Sequence, residues 1–145
     1  MKRLFSKSAV FTLLACALAP ATGAAQDPIP VRVEIAGVEV RTGYIRAALY
    51  SDGGWEQRPV HVANIAVGEG APALELQAPS PGRYAIRLFH DVDGDGELDS
   101  NLMGLPTEPY GTSNDAPPRF GPPAFDDAVF ELGSGGASQI ITLQG

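Results

Sequence analysis

The chain of 145 residues holds a single cysteine, Cys16, two histidines, His61 and His90, and one tryptophan, Trp55. Its two lysines, Lys2 and Lys7, both fall in the first seven residues. Each scarcity excludes a class of chemistry. A lone cysteine near the amino terminus leaves the rest of the chain without a disulfide, a thiolate metal site or a cysteine nucleophile. Two isolated histidines with no H-x-x-x-H or H-E-x-x-H spacing do not make a zinc site. Ser100 and Ser113 have no G-x-S-x-G context, and no glycine-rich phosphate loop follows a strand and opens a helix. Apolar runs are also short. The longest, Ala9 to Ala19, is half of the roughly 20 residues that span a bilayer.

That apolar run has a basic residue set before it (Lys2, Arg3, Lys7) and small residues after Pro20 (Ala21, Thr22, Gly23, Ala24, Ala25). This order predicts a cleaved export signal over residues 1–25, leaving one domain over 26–145 and a periplasmic or secreted location. Leu13-Leu14-Ala15-Cys16 loosely matches a lipoprotein box, but the apolar run continues past the cysteine, so a simple signal is the expectation. Once residues 1–25 are removed, seven arginines face 17 acidic residues, a net charge of −10. Such a surface repels nucleic acid and anionic lipid and attracts cations. No membrane span is expected after signal removal.

Beyond residue 25 the periodicity is two, not 3.6. Val31, Val33 and Ile35 form one face. So do Ile45, Ala47 and Leu49; Leu74 and Leu76; Tyr84, Ile86 and Leu88; Ala128, Phe130 and Leu132; and Ile141 and Leu143. Val60 and Val62 share one parity and Ile65 and Val67 the other, which predicts a bulge or turn near Ala63-Asn64. About seven short strands separated by Gly and Pro predict an all-β antiparallel sandwich, immunoglobulin-like or prealbumin-like. Residues 100–125 break the pattern with a proline-rich stretch. Leu102, Leu105, Tyr110, Phe120 and Phe125 are expected to fold it back on the sandwich as an ordered loop without regular structure.

The chemistry concentrates in Asp91 to Asp99, DVDGDGELD. Asp91, Asp93 and Asp95 stand at positions 1, 3 and 5 of a calcium loop, Gly96 at 6, the Glu97 carbonyl at 7 and Asp99 at 9. Calcium takes six to eight oxygens, so the chain must wrap tightly, and glycine permits the wrap. Position 12 is Leu102, which offers no carboxylate, and a strand rather than a helix precedes the loop. Asn101, Glu108, Asn114, Asp115, Asp126 and Asp127 are therefore candidates to complete a site. The other reading is a solvated Asp/Gly turn between strands. His90 beside Asp91 suggests either a strand-end hydrogen bond or, with the carboxylates, a metal-dependent hydrolase. Asp126-Asp127 is a poor acid–base pair, because adjacent strand residues point to opposite faces. Trp55 either caps the open end of the sandwich or, with exposed tyrosines, offers a stacking platform to a sugar.

Several motifs together carry a resemblance: Pro81-Gly82-x-Tyr84-Ala85, His90-Asp91, Leu98-Asp99, Gly104-x-Pro106-x-Glu108-x-Tyr110-Gly111-x-Ser113-Asn114, Gly121-x-Pro123-x-Phe125 and Ala128-Val129-Phe130. With Gly43 to Tyr50 as an early strand, the chain resembles the bacterial domain of unknown function 2141. Thr112 stands where an aromatic is commoner, and Asp93 and Asp95 where Asn is common. The resemblance implies an exported domain and carries no activity. The strand-to-acidic-turn unit is also similar to prealbumin-like and collagen-adhesin B-type sandwiches, in which such turns often bind calcium. The expectation is a non-enzymatic structural or binding module, its partner a cell-envelope protein or glycan.

Overall fold

In β1 (Ile29–Ala36) every second residue is buried, and Val31, Val33 and Ile35 are at most 2% exposed. This follows from a strand with one face on a core. A computed structural model describes residues 27–119 and 121–145; the expected leader, with Cys16, and Phe120 lie outside the described residues. The other strands are β2 (Tyr44–Ser51), β3 (His61–Ala66), β4 (Ala73–Ala78), β5 (Gly82–Asp91), β6 (Tyr110–Thr112), β7 (Phe130–Leu132) and β8 (Ala137–Thr142). They form two sheets, in the orders β4-β1-β8 and β3-β2-β5-β6, with β7 also on β5. The inner faces meet in one core containing Val31, Val33, Ile45, Leu49, Leu76, Ile86 and Ile141. Each such aliphatic side chain contributes roughly 1.5–3 kcal/mol by leaving water. The protein is an all-β sandwich.

Four details differ from expectation. β8 runs parallel to β1. It arrives from the other sheet rather than through a hairpin, so no tight turn forces it antiparallel. There is neither bulge nor turn at Ala63-Asn64: β3 pairs residue for residue with β2, and Val62 points outward, 63% exposed. Ala128 ends a one-turn helix, α1 (Phe125–Ala128), rather than lying in a strand with Phe130. The long loop contains a strand of its own, β6, opposite Arg87–Phe89.

Polar contacts rather than the expected apolar ones order the first part of that loop. Asn101 Oδ1 accepts the N–H groups of Met103 (2.9 Å) and Leu105 (3.1 Å). Leu102 and Leu105 stay exposed, whereas Phe125 is buried. The second part is pinned by Ser113, which is fully buried. Its Oγ accepts the Ile86 N–H at 2.9 Å and donates to the Ala128 carbonyl at 2.5 Å. Asn114 and Asp115 adopt left-handed φ of 61° and 46°. That geometry turns Asn114 Nδ2 to the Val129 carbonyl and Asp115 to the Thr142 N–H, each at 2.8 Å. Ser113→Ala should cost about 2 kcal/mol, because it orphans a buried donor and a buried acceptor. Urea unfolding checks this, and a change under 0.5 kcal/mol, about the size expected of a neutral surface substitution, would refute the pinning role.

Candidate functional site: the acidic turn at the end of β5

Asp91 is the last residue of β5 and is fully buried. Its carboxylate is the hub of the turn. Oδ1 accepts the Gly94 N–H at 2.8 Å, and Oδ2 accepts the Gly96 N–H at 3.1 Å. Gly94 and Gly96 have φ of 83° and 91°, the left-handed conformation that brings both amides inward. Arg46 Nε, from the neighbouring β2, donates to Oδ2 at 2.5 Å. Burial alone would push the Asp91 carboxyl up. The hydrogen bond and charge of Arg46, with the two glycine amides, outweigh it and hold the group below its ordinary value.

The remaining acidic residues sit on the exposed side of the turn. Asp93 Oδ1 accepts the Asp95 N–H at 3.2 Å, and Asp95 Oδ1 accepts the Glu97 N–H at 2.8 Å. One carboxylate oxygen from each of Asp91, Asp93 and Asp95 lies within 4.8 Å of the others. Two oxygens bound to one calcium at about 2.4 Å can be at most about 4.8 Å apart, so these three oxygens are within reach of one such ion and would be three of the six to eight it takes. The Asp99 carboxylate is not one of that group, although it feels the neighbouring charges. Desolvation, followed by the charges of Asp95, Asp93, Glu108 and Glu97, pushes its carboxyl up. Glu97 is exposed.

Among the residues considered for completing the site, Glu108 reaches the turn but lies outside the Asp91, Asp93 and Asp95 group. It is 7% exposed and spans the turn, Oε1 accepting the Val92 N–H at 2.8 Å and Oε2 the Asp99 N–H at 3.3 Å. Asn101 holds the adjoining loop. Asp126 and Asp127 are committed elsewhere, to Arg83 at 2.7 Å and Arg119 at 3.7 Å. Arg83 is near the start of β5, about 26 Å along the strand from Asp91. Asn114 and Asp115 bind the backbone of the β7 and β8 segments. His90 is buried, with Nε2 2.6 Å from the Thr42 carbonyl, and so ties the β1–β2 loop to the strand end.

Trp55 neither caps an open end nor offers a platform. It is 4% exposed and belongs to a second cluster with Ala85, Ala116, Phe125 and Ala128. Its Nε1 donates to the Pro123 carbonyl at 3.1 Å. Tyr50 and Phe125 meet it edge-on, with centroids at 5.4 and 5.8 Å. Arg46 was not anticipated. Its outward position on β2 is visible in the alternation, but a partner 45 residues away is visible only once the strands are in register.

Fold and site together define an all-β sandwich with an arginine-latched acidic turn. A family model described as uncharacterized protein conserved in bacteria (DUF2141) matches residues 33–140, and the chain belongs to that family. No curated protein and no solved structure matches the chain. Among the described residues no helix is long and apolar enough to cross a membrane.

Proposed function

We propose that the protein is an exported, non-enzymatic structural or binding module whose acidic turn holds calcium and thereby orders the loop after it. The observation that carries this reading is the convergence of the Asp91, Asp93 and Asp95 carboxylates within 4.8 Å, with the Asp99 carboxyl pushed up by desolvation and by the nearby charges of Asp95, Asp93, Glu108 and Glu97. A dication placed there turns mutual repulsion into attraction. Asp93, Asp95 and Asp99 would supply side-chain oxygens, the Glu97 backbone its carbonyl, and Asp91 its Oδ1, which accepts the Gly94 N–H and is not engaged by Arg46. Glu108 supports the turn from beneath. The partner belongs to the cell envelope, a protein or a glycan, met by the loop that the turn anchors.

Thermal unfolding of the purified protein tests the metal. With a dissociation constant near ~0.1 mM, in the range of extracellular sites, about 1 mM calcium should add about 1.4 kcal/mol. For a domain of this size the midpoint should rise by about 6 °C, and magnesium should not reproduce it. The double variant Asp93→Asn, Asp95→Asn should lose the calcium response while keeping or slightly raising the calcium-free midpoint. A wild-type midpoint unmoved by calcium makes the turn a self-capped connector.

A further inference from the structure

The outer face of the second sheet is covered only in part. The Trp55 cluster lies over Ala85, while further along β5 the face opens into a groove of about 890 Å³ between the sheet and the proline-rich loop. Ala48, Val62, Phe89, Leu98, Leu105 and Tyr110 are among its lining residues. Val62, Leu98 and Leu105 are 63%, 39% and 56% exposed, an apolar concentration that a solvated sheet face does not need. The volume lies within the range of sites for small molecules.

The charge in the groove runs against that of the chain. None of the 17 acidic residues lines it, but Arg46 and Arg87 do. Arg46 is engaged with Asp91. Arg87 is held with its guanidinium 3.7 Å from the Trp55 ring centroid. Its Nε and Nη2 are buried and have no hydrogen-bond partner among the described residues. These two nitrogens form one edge of the guanidinium, the edge that grips both oxygens of a carboxylate. The nearest acid, Glu56, has its oxygen 3.6 Å from Nη2, too far for a hydrogen bond, and its side chain is 75% exposed. The two nitrogens are closed to solvent as they stand, so an anion reaches them by displacing the Glu56 side chain, whose exposure makes that inexpensive.

We propose that this groove binds a small amphiphilic anion, with its apolar body on Val62, Phe89 and Leu105 and its carboxylate on Arg87. The proposal does not depend on calcium at the acidic turn.

Trp55 is the only tryptophan, so its fluorescence reports on Arg87 directly. The test is titration of the purified protein with decanoate, decanol and decyltrimethylammonium, each below its micelle concentration. Decanoate should change the emission saturably, at one molecule per chain, and bind at least about tenfold tighter than decanol; the cation should not bind. Arg87→Met keeps the stem on Trp55 and should bring decanoate to the level of decanol. Val62→Glu, at an exposed position, should weaken decanoate at least about tenfold without touching the core, and it decides the matter if the arginine variant does not fold. Unsaturable decanoate, equal affinity for the alcohol, or binding indifferent to Val62→Glu would each overturn the proposal. So would a dimer in sedimentation that Val62→Glu dissociates, since the groove would then belong to a second copy of the chain.

Discussion

Gly43→Ala should lower the unfolding midpoint by about 12 °C. Gly43 has φ of 80° and lies directly behind the start of the acidic turn. A Cβ there would collide with the Asp91 carbonyl oxygen and sit 2.8 Å from Val92 Cα and 2.9 Å from the Val92 oxygen. All three are backbone atoms, so no side chain can swing aside. Left-handed strain of about 1 kcal/mol and a backbone displacement of about 2 kcal/mol give about 3 kcal/mol. At this chain length each kcal/mol moves the midpoint by about 4 °C. Gly70 separates the two causes. Its φ is 89°, and nothing lies within 4 Å of a Cβ placed there. Gly70→Ala should therefore show only the strain, about 4 °C. If the two variants lose equally, the β1–β2 loop does not buttress the turn as described. The collision also places this backbone contact, rather than the carboxylates, as the reason a glycine stands at position 43.

Asp91→Ala should lower the midpoint by about 10 °C or more at neutral pH, because it strands the Arg46 guanidinium and the inward N–H groups of Gly94 and Gly96. The pH dependence carries the sign. The Asp91 carboxyl titrates below its ordinary value of 3.8 in the folded protein. Its contribution is therefore present above that value and is lost as pH falls through the folded value. Asp99 has the opposite sign, since its carboxyl titrates above 3.8 when folded. Its charge costs stability at neutral pH, and that cost is relieved as pH falls through its folded value. Stability of the native chain should thus rise slightly on mild acidification and fall steeply below about pH 4. The steep fall should be shallower in Asp91→Ala. Denaturant midpoints measured between pH 3 and pH 7 check both limbs, and an acid limb identical in the two proteins would remove Asp91 from the role of hub.

The sandwich was legible because its signal is local. A strand buried on one side must alternate, so Val31, Val33 and Ile35, or Ile45, Ala47 and Leu49, announce both the element and its inner face. The acidic turn was legible for the same reason, since the Asp91, Asp93 and Asp95 carboxylates find their amide partners within five residues. The spacing alone does not distinguish a cation from the turn's own N–H groups, because the same oxygens serve both.

What local pattern left open was decided by pairing across distance. The Val60–Val67 stretch changes parity in the sequence, yet β3 runs straight. Its register is set by six successive pairs with β2, and Val67 leaves the strand to bond the Gly43 carbonyl. β6 is too short to announce itself and exists because Arg87–Phe89 offers an open edge. Trp55 reads as a cap in sequence, but the return of Pro123 and Phe125 across the outside of β5 buries it there. The Arg46–Asp91 latch joins residues 45 apart, and the Arg87 groove needs β2, β3, β5 and the loop together. The sequence by itself therefore determined which segments are strands, which faces they bury and where the carboxylates gather, because those depend on neighbours within a few residues. Only the tertiary structure decided which arginine meets which acid and which face of the sheet stays open. Register and loop return are set by the sum of many weak contacts between distant segments, and no one of those contacts is written in a local pattern.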